Sequence, residues 1–413
     1  MPKKILIFST AYLPFIGGAE IALKEITDRI KDIQFDMITL RFDSNLSKFE
    51  KIGNINVYRV GFTKANPDMA DLVKFPLFLN KLFFPFTACL AAGSLHRKNK
   101  YDGVWAMMAA YAGFAAMFFK IFHKNTPYLL TLQEGDPISE IKKKVRLVFP
   151  LFKMIFTKAD FAQAISNYLA DWAREMGFKG KLEVVPNGVD VNKFNVKSLK
   201  LNASEIKNNL GIKDSEKVII TASRLVKKNA VDDIIKSLKY LPANVKLLIL
   251  GDGPDRKILE DLEKELNVSD RIIFKGAYKN DDLPQYLASA DVFARPSLSE
   301  GQGIAFLEAM AAGVPVIATP VGGIVDFLLD ASAGSGQATG WFCEVKNPQS
   351  IAEKIEYILD DNNKNKVREV IENAKKMVEK EYDWEIIASK MKNIFFNKVI
   401  CHCERKRSNL TNV

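Results

Sequence analysis

Cysteine is scarce in this sequence. Only Cys89, Cys343, Cys401 and Cys403 occur among 413 residues, and their spacing forms no paired framework. This scarcity excludes a small disulfide-stapled secreted protein and fits a reducing compartment. The opening "MPKKILIFST" has an apolar run only from Ile5 to Phe8, which is shorter than the roughly 7 residues that a signal peptide needs. We therefore expect a cytoplasmic protein without an export signal.

Long uninterrupted apolar runs are lacking as well. The stretch "FPLFLNKLFFPFTACLAAG" is interrupted by Pro76, Asn80, Lys81 and Pro85. Residues 104–119 form a run of 16 uncharged residues, fewer than the roughly 20 that cross a bilayer as a helix. We interpret both stretches as soluble elements with large apolar faces.

Several ligand-binding motifs are absent. Neither a G-x-G-x-x-G nor a P-loop occurs, so the usual dinucleotide and P-loop NTPase patterns are missing. No D-x-D occurs either, which removes a common carboxylate pair for a divalent cation. We expect no metal and no bound organic cofactor.

The residues that are present have a globular composition, with 48% hydrophobic and 26% charged side chains. The net charge of +10 is uneven, because residues 1–195 hold 27 Lys and Arg against 18 Asp and Glu, whereas the remainder holds 32 against 31. Residues 97–158 carry 11 basic and 4 acidic residues, including "KKKVR" beside the apolar "LVFPLFKMIF". This mixture suits an anionic bilayer surface. A lysine-rich solvated face is equally consistent with it.

Short apolar runs alternate with amphipathic stretches along the chain, which is typical of a parallel α/β protein. The predicted strands of the first half are "KILIFS", "FDMITL", "NVYRV", "GVWAM", "YLLTL", "FAQAIS" and "LEVVP". After a polar stretch follow "KVIITAS", "VKLLILG", "RIIFKG", "DVFARPS" and "PVIATP". The length fits two domains of about 200 residues. We predict doubly wound domains over 1–195 and 196–382, with function at the carboxyl ends of their strands and in a cleft between them.

The last part of the chain contains one more predicted helix. "DWEIIASKMKNIFF" places its apolar residues on one helical face, so a helix over about 383–398 has to pack against a domain. Residues 399–413 show no periodicity, and we expect them to form a disordered tail.

The segment "LSEGQGIAFLEAMAAGVPVIATPVGG" carries the main candidate site. Gly301 and Gly303 disfavour regular helix, so Glu300 should lie in a loop and Glu308 in the helix that opens near Ile304. Free N–H groups and the positive dipole at that helix start attract phosphate. Two carboxylates beside a phosphate site suit a nucleotide diphosphate sugar, with Glu308 on the ribose and Glu300 on the sugar. Both could be solvated helix residues, but an unpaired carboxylate is unfavourable in the apolar run around Glu308.

Cations and glycines follow two other predicted strands. "TASRLVKKNA" places Arg224, Lys227 and Lys228 at the carboxyl edge of the second sheet, where cations would stabilise a departing diphosphate. A solvated loop is the other interpretation of this segment. Gly17 and Gly18 follow the first strand and open a helix, which lets the backbone approach a ligand closely.

With these residues the sequence resembles retaining glycosyltransferases of the GT-B fold, specifically glycosyltransferase family 4 (group 1). The resemblance extends from Ile5 to about Phe396. It depends on "GGAE" at 17–20, "VVPNGVDVNKF" at 184–194, "SRLVKKN" at 223–229, "LGDGP" at 250–254 and the glutamate segment. It implies two Rossmann-like domains facing a central cleft, with the donor held mainly by the C-terminal domain. It also implies that the final helix crosses back to the N-terminal domain.

The resemblance assigns roles to individual residues. Glu300 and Glu308 correspond to the family's E-x7-E pair. The implied catalytic residues are Glu300, Arg224, Lys228 and Gln133. The implied donor-binding residues are Glu308, Gly17, Gly18, Gly301, Gly303, Ile304 and Asn187.

Two positions depart from the family's pattern. "TLQEGD" has Gln133 where a histidine is usual, and a glutamine can hydrogen-bond a sugar but cannot titrate. Asn229 stands where a lysine is common, which leaves Lys228 or Lys227 to take its role. Asp326 keeps the acid that is common after "GG".

The resemblance implies transfer of a sugar from a nucleotide diphosphate to a hydroxyl acceptor, with retained configuration and front-face attack. We expect a lipid-linked or cell-envelope glycan as acceptor, an anionic membrane surface as a further partner, and a peripheral location at the inner face of the membrane. No nucleic acid is expected. The alternatives are a nucleotide-sugar epimerase of the same fold and a basic protein that binds a membrane surface or nucleic acid.

Overall fold

The computed structural model describes residues 2–15, 17–67, 71, 74–194, 203–333 and 336–403. The chain divides into two compact units: the first contains Met1–Asn187 and Trp384–Val413, and the second contains Gly188–Asp383. The border thus precedes the expected one at residue 195. The reason is local, because Val189 bridges to Asp383 and its N–H donates to the Tyr382 carbonyl at 2.7 Å.

The first unit contains an eight-stranded sheet with the order β3-β4-β2-β1-β5-β6-β7-β8. Its strands pair in parallel, except that β3 runs antiparallel to β4. The strands are β1 (Lys3–Phe8), β2 (Ile33–Leu40), β3 (Phe49–Ile52), β4 (Ile55–Val60), β5 (Gly103–Met107), β6 (Tyr128–Leu132), β7 (Phe161–Ala164) and β8 (Lys181–Val184).

Helices cover both faces of this sheet. The helices are α1 (Gly18–Arg29), α2 (Leu77–Asn99), α3 (Ala112–Phe122), α4 (Ile138–Lys144), α5 (Phe149–Lys158), α6 (Asn167–Glu175) and, from the end of the chain, α14 (Trp384–Ile394). One core joins α2, α3, α5 and α6 to side chains such as Leu6 and Phe8. The other core joins α1 and α14 to Ile5 and Ile7 on the opposite face. Because alternate residues of β1 enter different cores, its segment from Ile5 to Phe8 is apolar throughout.

The expected tail from residue 399 is wrong over residues 399–403. Helical structure continues beyond α14 through Cys403. Val399, Ile400 and Cys403 are buried because they extend the apolar face of the helix. Residues 404–413 lie outside the described part of the chain.

The second unit contains a parallel six-stranded sheet with the order β11-β10-β9-β12-β13-β14. Its strands are β9 (Lys217–Ala222), β10 (Val245–Leu250), β11 (Ile272–Gly276), β12 (Val292–Arg295), β13 (Val316–Ala318) and β14 (Trp341–Phe342). Its helices are α7 (Ala203–Asn209), α8 (Val231–Ser237), α9 (Arg256–Glu265), α10 (Leu283–Ala288), α11 (Ile304–Ala311), α12 (Pro348–Leu359) and α13 (Lys364–Glu381). Buried side chains on both faces form two cores, as a doubly wound domain requires.

The two apolar stretches differ in the structure. Residues 104–119 contain parts of β5 and α3, so they form no single helix. The earlier stretch forms most of α2, and among the described residues α2 is the one helix whose length and composition would allow it to cross a membrane. Only 33% of its apolar window is buried.

Candidate functional site

The carboxyl edge of the second sheet is built from loops that contact one another closely. A Cβ on Gly251 would lie 1.9 Å from the Ser223 carbonyl oxygen, and a Cβ on Gly322 would lie 1.9 Å from the Glu300 carbonyl oxygen. Both glycines have a positive φ, of +127° and +56°. The loops after β10 and β13 therefore hold the loops after β9 and β12 in place through contacts that only glycine permits.

Glu300 lies in the loop between β12 and α11, as predicted, and its side chain is 12% exposed. One carboxylate oxygen pairs with the guanidinium of Arg295, the last residue of β12. The other accepts the Gly301 N–H at 3.2 Å. Arg295 also stacks on the Phe306 ring at 4.5 Å from its centroid, and burial lowers the pKa of this arginine to about 10. Glu300 is thus an oriented carboxylate whose counter-ion was not predicted.

Glu308 lies inside α11 and is half-buried. Burial raises the pKa of Glu308 to about 7, although Lys193 and Arg295 act in the opposite direction. The side chain of Tyr278 also lies near it, and burial together with the Glu308 charge raises the pKa of this phenol. No described residue forms a hydrogen bond with the Glu308 carboxylate. Among the described residues, the Glu308 charge is therefore offset by the nearby cations Lys193 and Arg295 and not by a hydrogen bond.

Gly303 immediately precedes α11 and has a φ of +89°. Its glycine character is required, because a Cβ would lie 2.5 Å from the Phe306 ring. Ile304 is the first residue of α11, so Gly301, Gly303 and Ile304 surround the helix start as predicted. The first-turn N–H groups and the helix dipole make this start suitable for an anion.

The cations after β9 lie beside this loop. Arg224 and Lys227 are exposed, and Lys228 is half-buried. The Lys228 carbonyl accepts the Leu298 N–H at 2.6 Å, which joins the cation segment to the Glu300 loop. Asn229 is buried, and its amide donates to the Arg224 carbonyl at 2.6 Å. Asn229 therefore shapes the loop and supplies no charge.

Gln133 and Asn187 belong to the first unit and meet there. Gln133 Nε2 donates to Asn187 Oδ1 at 3.0 Å, and Asn187 Nδ2 donates to Gln133 Oε1 at 3.3 Å. Both residues are buried. The structure thus joins two predicted site residues in a reciprocal amide pair at the carboxyl edge of the first sheet.

Gly17 precedes α1, and Gly18 is its first residue; both are exposed. A Cβ on Gly17 would lie 2.8 Å from Glu20 Oε2. Burial raises the pKa of Glu20, while hydrogen bonds from the Gly17 and Glu20 N–H groups oppose this rise. The positive end of α1 is therefore already occupied by a carboxylate of its own first turn.

Four residues at these edges were not predicted to be functional: Arg295, Tyr278, Lys193 and Glu134. The sequence offered one signal for Arg295: it lies near the end of the predicted strand "DVFARPS", and so it had to lie near the carboxyl edge of the second sheet. Glu134 accepts the Ala109 N–H at 2.6 Å through Oε1, while its buried Oε2 has no hydrogen-bond partner among the described residues. Burial raises the pKa of Glu134 to about 7.

Family models match both halves of the chain. The "Glycosyl transferases group 1" model matches residues 202–377, and the "Glycosyltransferase Family 4" model matches residues 16–193. An uncharacterized glycosyltransferase of Methanocaldococcus jannaschii is 33% identical over 411 residues, with 95% of this chain and 97% of that protein covered. The chain belongs to the group 1 and family 4 glycosyltransferases. Family membership decides between the three interpretations in favour of the transferase.

A second relative of this glycosyltransferase is covered less completely. The GDP-mannose-dependent monoacylated alpha-(1-6)-phosphatidylinositol monomannoside mannosyltransferase of Corynebacterium glutamicum is 32% identical over 255 residues. The alignment covers 59% of this chain and 63% of the relative.

Solved structures confirm the predicted GT-B fold of the glycosyltransferase. Sucrose-phosphate synthase from Thermosynechococcus elongatus has a TM-score of 0.78 at 21% identity, with 95% of this chain and 98% of that chain covered. HepE of Anabaena, in complex with UDP and glucose, has a TM-score of 0.74 at 20% identity, with coverages of 95% and 99%. At such identities the likeness is evidence for the fold alone.

Proposed function

We propose that this glycosyltransferase moves a sugar from a nucleotide diphosphate to a hydroxyl of a lipid-linked or cell-envelope glycan, with retention of configuration and without a metal ion. The observation that carries the proposal is the pair of acids around α11. Glu300 is oriented by Arg295, and Glu308 is half-buried without a hydrogen bond from a described residue.

The donor diphosphate would lie at the start of α11. Backbone N–H groups there have no intrahelical acceptor, and the dipole favours negative charge. Gly301 and Gly303 allow a ligand to approach the backbone closely. Arg224 and Lys228 supply the fixed positive charge that a departing diphosphate needs.

Glu308 would accept hydrogen bonds from the ribose hydroxyls. Removing a half-buried carboxylate from water without a partner is unfavourable, so a ligand that supplies two hydroxyl donors would compensate for its burial. Glu300 would accept a hydrogen bond from a hydroxyl of the transferred sugar. It would use the carboxylate lone pairs that the hydrogen bonds from Arg295 and Gly301 do not occupy. A carboxylate offers about four such acceptor positions.

The chemistry would proceed on one face of the sugar. The bond from the anomeric carbon to the β-phosphate oxygen breaks, and the acceptor oxygen bonds to the same face of that carbon. The acceptor proton passes to the departing phosphate oxygen. Because Glu300 is bound to Arg295, we assign it to sugar binding and not to nucleophilic attack.

Metal independence is part of the proposal because of the ligand chemistry. The sequence has no D-x-D, and the described residues include no group of three or more His, Cys, Asp or Glu side chains placed to hold a metal ion. The cations Arg224 and Lys228 would replace the charge that a divalent ion provides elsewhere.

The donor and acceptor classes are supported by the Corynebacterium glutamicum relative, whose name describes a GDP-mannose-dependent mannosyltransferase acting on a monoacylated phosphatidylinositol monomannoside. The basic first half of the chain suits a cytoplasmic enzyme at the inner face of a membrane.

Thermal shift with UDP-glucose, UDP-N-acetylglucosamine and GDP-mannose tests donor binding, because a ligand that binds the native state raises the melting temperature. We expect one donor to stabilise the protein and Glu308→Ala to abolish this shift. Glu372→Ala, which removes an exposed glutamate of α13, is the matched control and should keep the shift.

Product analysis tests the rest of the proposal. Proton NMR of the glycoside should show retained anomeric configuration, and EDTA should leave the rate unchanged. If none of the donors binds and none is transferred or hydrolysed, the proposed function is wrong.

A further inference from the structure

One face of α2 leaves large apolar side chains in contact with solvent. Their exposed fractions lie between 42% and 77%, and they follow one another at helical spacing: Phe78, Leu82, Phe83, Phe86 and Leu90. Phe75, two residues before the helix, is 78% exposed. The opposite face of α2 is buried in the core through Phe84, Ala88 and Ala92. Because one side is held in the protein, α2 cannot be surrounded by lipid as a membrane-spanning helix would be.

The apolar surface continues onto α3. Phe86 stacks on Phe118, with ring centroids 5.3 Å apart. Phe122 at the end of α3 is 77% exposed. Soluble proteins rarely expose continuous apolar patches of this kind unless a partner covers them.

A second exposed apolar group lies at the same side of the sheet. Residues 146–148 precede α5, and Leu147 is 94% exposed. α2, α3 and α5 pack on one face of the sheet, and each ends shortly before the next strand starts. All three helices therefore begin at the carboxyl edge, so Phe78 and Leu147 lie towards the edge at which parallel α/β sheets bind ligands.

Basic side chains outnumber acidic ones around these residues. Residues 72–133 contain seven Lys and Arg and a single acid, Asp102, which is buried. Lys143, Lys144 and Arg146 are exposed beside Leu147. Lys144 pairs with the exposed Asp136 at 3.6 Å, so Lys143 and Arg146 supply the charge that no ion pair among the described residues offsets. Aromatic and aliphatic side chains flanked by lysine and arginine match the interface of an anionic bilayer, where the rings enter the headgroup region and the cations meet lipid phosphates.

We propose that this surface, formed by α2, the end of α3 and residues 142–148, docks the protein on an anionic lipid bilayer. A second copy of the chain fits less well, because a symmetric dimer through this face would bring the same positive charges together. The proposal deepens the proposed function: a lipid-linked acceptor would meet the carboxyl edge of the first sheet directly from the bilayer. Binding to lipid itself does not depend on transfer.

Cosedimentation with vesicles tests the surface. The probes are vesicles of equal parts phosphatidylglycerol and phosphatidylcholine, and vesicles of phosphatidylcholine alone. We expect binding to the anionic vesicles that weakens with salt, and about tenfold or greater loss of binding in Leu82→Gln/Phe83→Gln/Leu90→Gln. A matched control, Tyr240→Gln/Ile258→Gln/Val345→Gln, changes exposed apolar residues of the second unit and should bind like the wild type.

Charge and apolar contributions can be separated. Lys143→Gln/Lys144→Gln/Arg146→Gln should lose most of the salt dependence and retain weak binding. Circular dichroism and melting temperature establish that each variant is folded.

Three results would overturn the proposal. They are no binding of the wild type to anionic vesicles, equal binding of the α2 variant, or a dimer in solution that only the α2 variant dissociates. Transfer to a soluble acceptor is measured in parallel. If vesicle binding persists while donor binding and transfer are absent, the docking surface is supported and the proposed function is wrong. If donor binding and transfer are present but the protein does not bind anionic vesicles, the proposed function is supported and the docking surface is wrong.

Discussion

The polar side chains at the carboxyl edges of the two sheets differ in their hydrogen bonding. In the first unit Gln133 and Asn187 bond to each other, and Glu134 accepts the Ala109 N–H. In the second unit Glu308 has no hydrogen bond from a described residue, although its environment disfavours charge. Both edges thus hold an acid with a raised pKa, but Glu134 keeps a backbone hydrogen bond whereas Glu308 has none from a described residue.

The glycine contacts of the second edge give the largest expected effect. Gly322→Ala places a Cβ 1.9 Å from the Glu300 carbonyl oxygen at a φ of +56°. We expect the free energy of unfolding to fall by about 4 kcal/mol, since collision and backbone strain add. Urea denaturation measures this change.

Gly211→Ala is the control for backbone strain alone. Gly211 has a φ of +71°, and a Cβ there would meet nothing within 4 Å. Its substitution should cost about 1 kcal/mol. Equal losses in the two variants would mean that the Glu300 loop moves freely and is not held by its neighbour.

The acids with raised pKa values provide the next test. Glu134 and Glu308 both have a pKa of about 7 against an ordinary 4.5. A raised carboxyl pKa destabilises the fold as the pH rises from about 4.5 to 7, because the folded state resists ionisation. Between pH 4 and pH 8 the wild type should lose about 3 kcal/mol relative to Glu308→Gln, and a similar amount relative to Glu134→Gln.

Donor affinity should distinguish these two acids. If ribose hydroxyls donate to Glu308, the donor prefers the ionised form, so its affinity rises as the pH passes 7. Isothermal titration across pH 5 to 8 should show this rise in the wild type and in Glu134→Gln, but not in Glu308→Gln. If the rise in donor affinity with pH disappears in Glu134→Gln and not in Glu308→Gln, the donor binds at Glu134 and our assignment of the donor to Glu308 is wrong.

Arg295 tests whether Glu300 must be oriented. Arg295→Lys keeps the charge but loses the planar contacts to Glu300, Ser297 and the Phe306 ring. We expect kcat/KM to fall about 30-fold, which corresponds to about 2 kcal/mol of transition-state stabilisation.

Arg271→Lys is the matched control in the same unit. Arg271 is buried and donates to the Leu238, Val245 and Pro242 carbonyls, away from the glutamates. Its replacement should change stability and leave kcat/KM per folded molecule unchanged. If kcat/KM falls equally in Arg295→Lys and Arg271→Lys, the effect of the Arg295 substitution is a general loss of folded structure and not a loss of Glu300 orientation.

The predicted strands and the helix-start glutamates were accessible from sequence because they depend on local pattern. The run from Val218 to Ala222 is buried on both faces, and Gly301 and Gly303 leave Glu300 outside the helix. β3 and β14 were not predicted, because "FEKI" alternates exposed and half-buried residues and "WF" spans only two positions.

The hydrogen-bond and ion-pair partners of the site side chains could not be predicted from these local sequence patterns. Gln133 and Asn187 are 54 residues apart in sequence, and their pairing depends on how β6 and the segment after β8 converge. Arg295 and Glu300 are close in sequence, but their ion pair depends on a loop whose path is set by Gly322. The tail prediction failed for Val399 and Ile400 because burial against the first unit extends a helix beyond its sequence signal.

The amide pair of the first edge gives the smallest expected effect. Gln133→Ala and Asn187→Ala should each cost about 1 kcal/mol of stability, because each removes the buried hydrogen bonds between the two amides. The double variant should cost less than the sum, since neither amide then remains to be satisfied; a double-mutant cycle measures this coupling. Donor affinity should stay within about twofold of the wild type throughout. A loss of donor affinity without coupling in stability would mean that Gln133 binds the sugar as the resemblance implies, and that the first edge also reserves polar groups for a ligand.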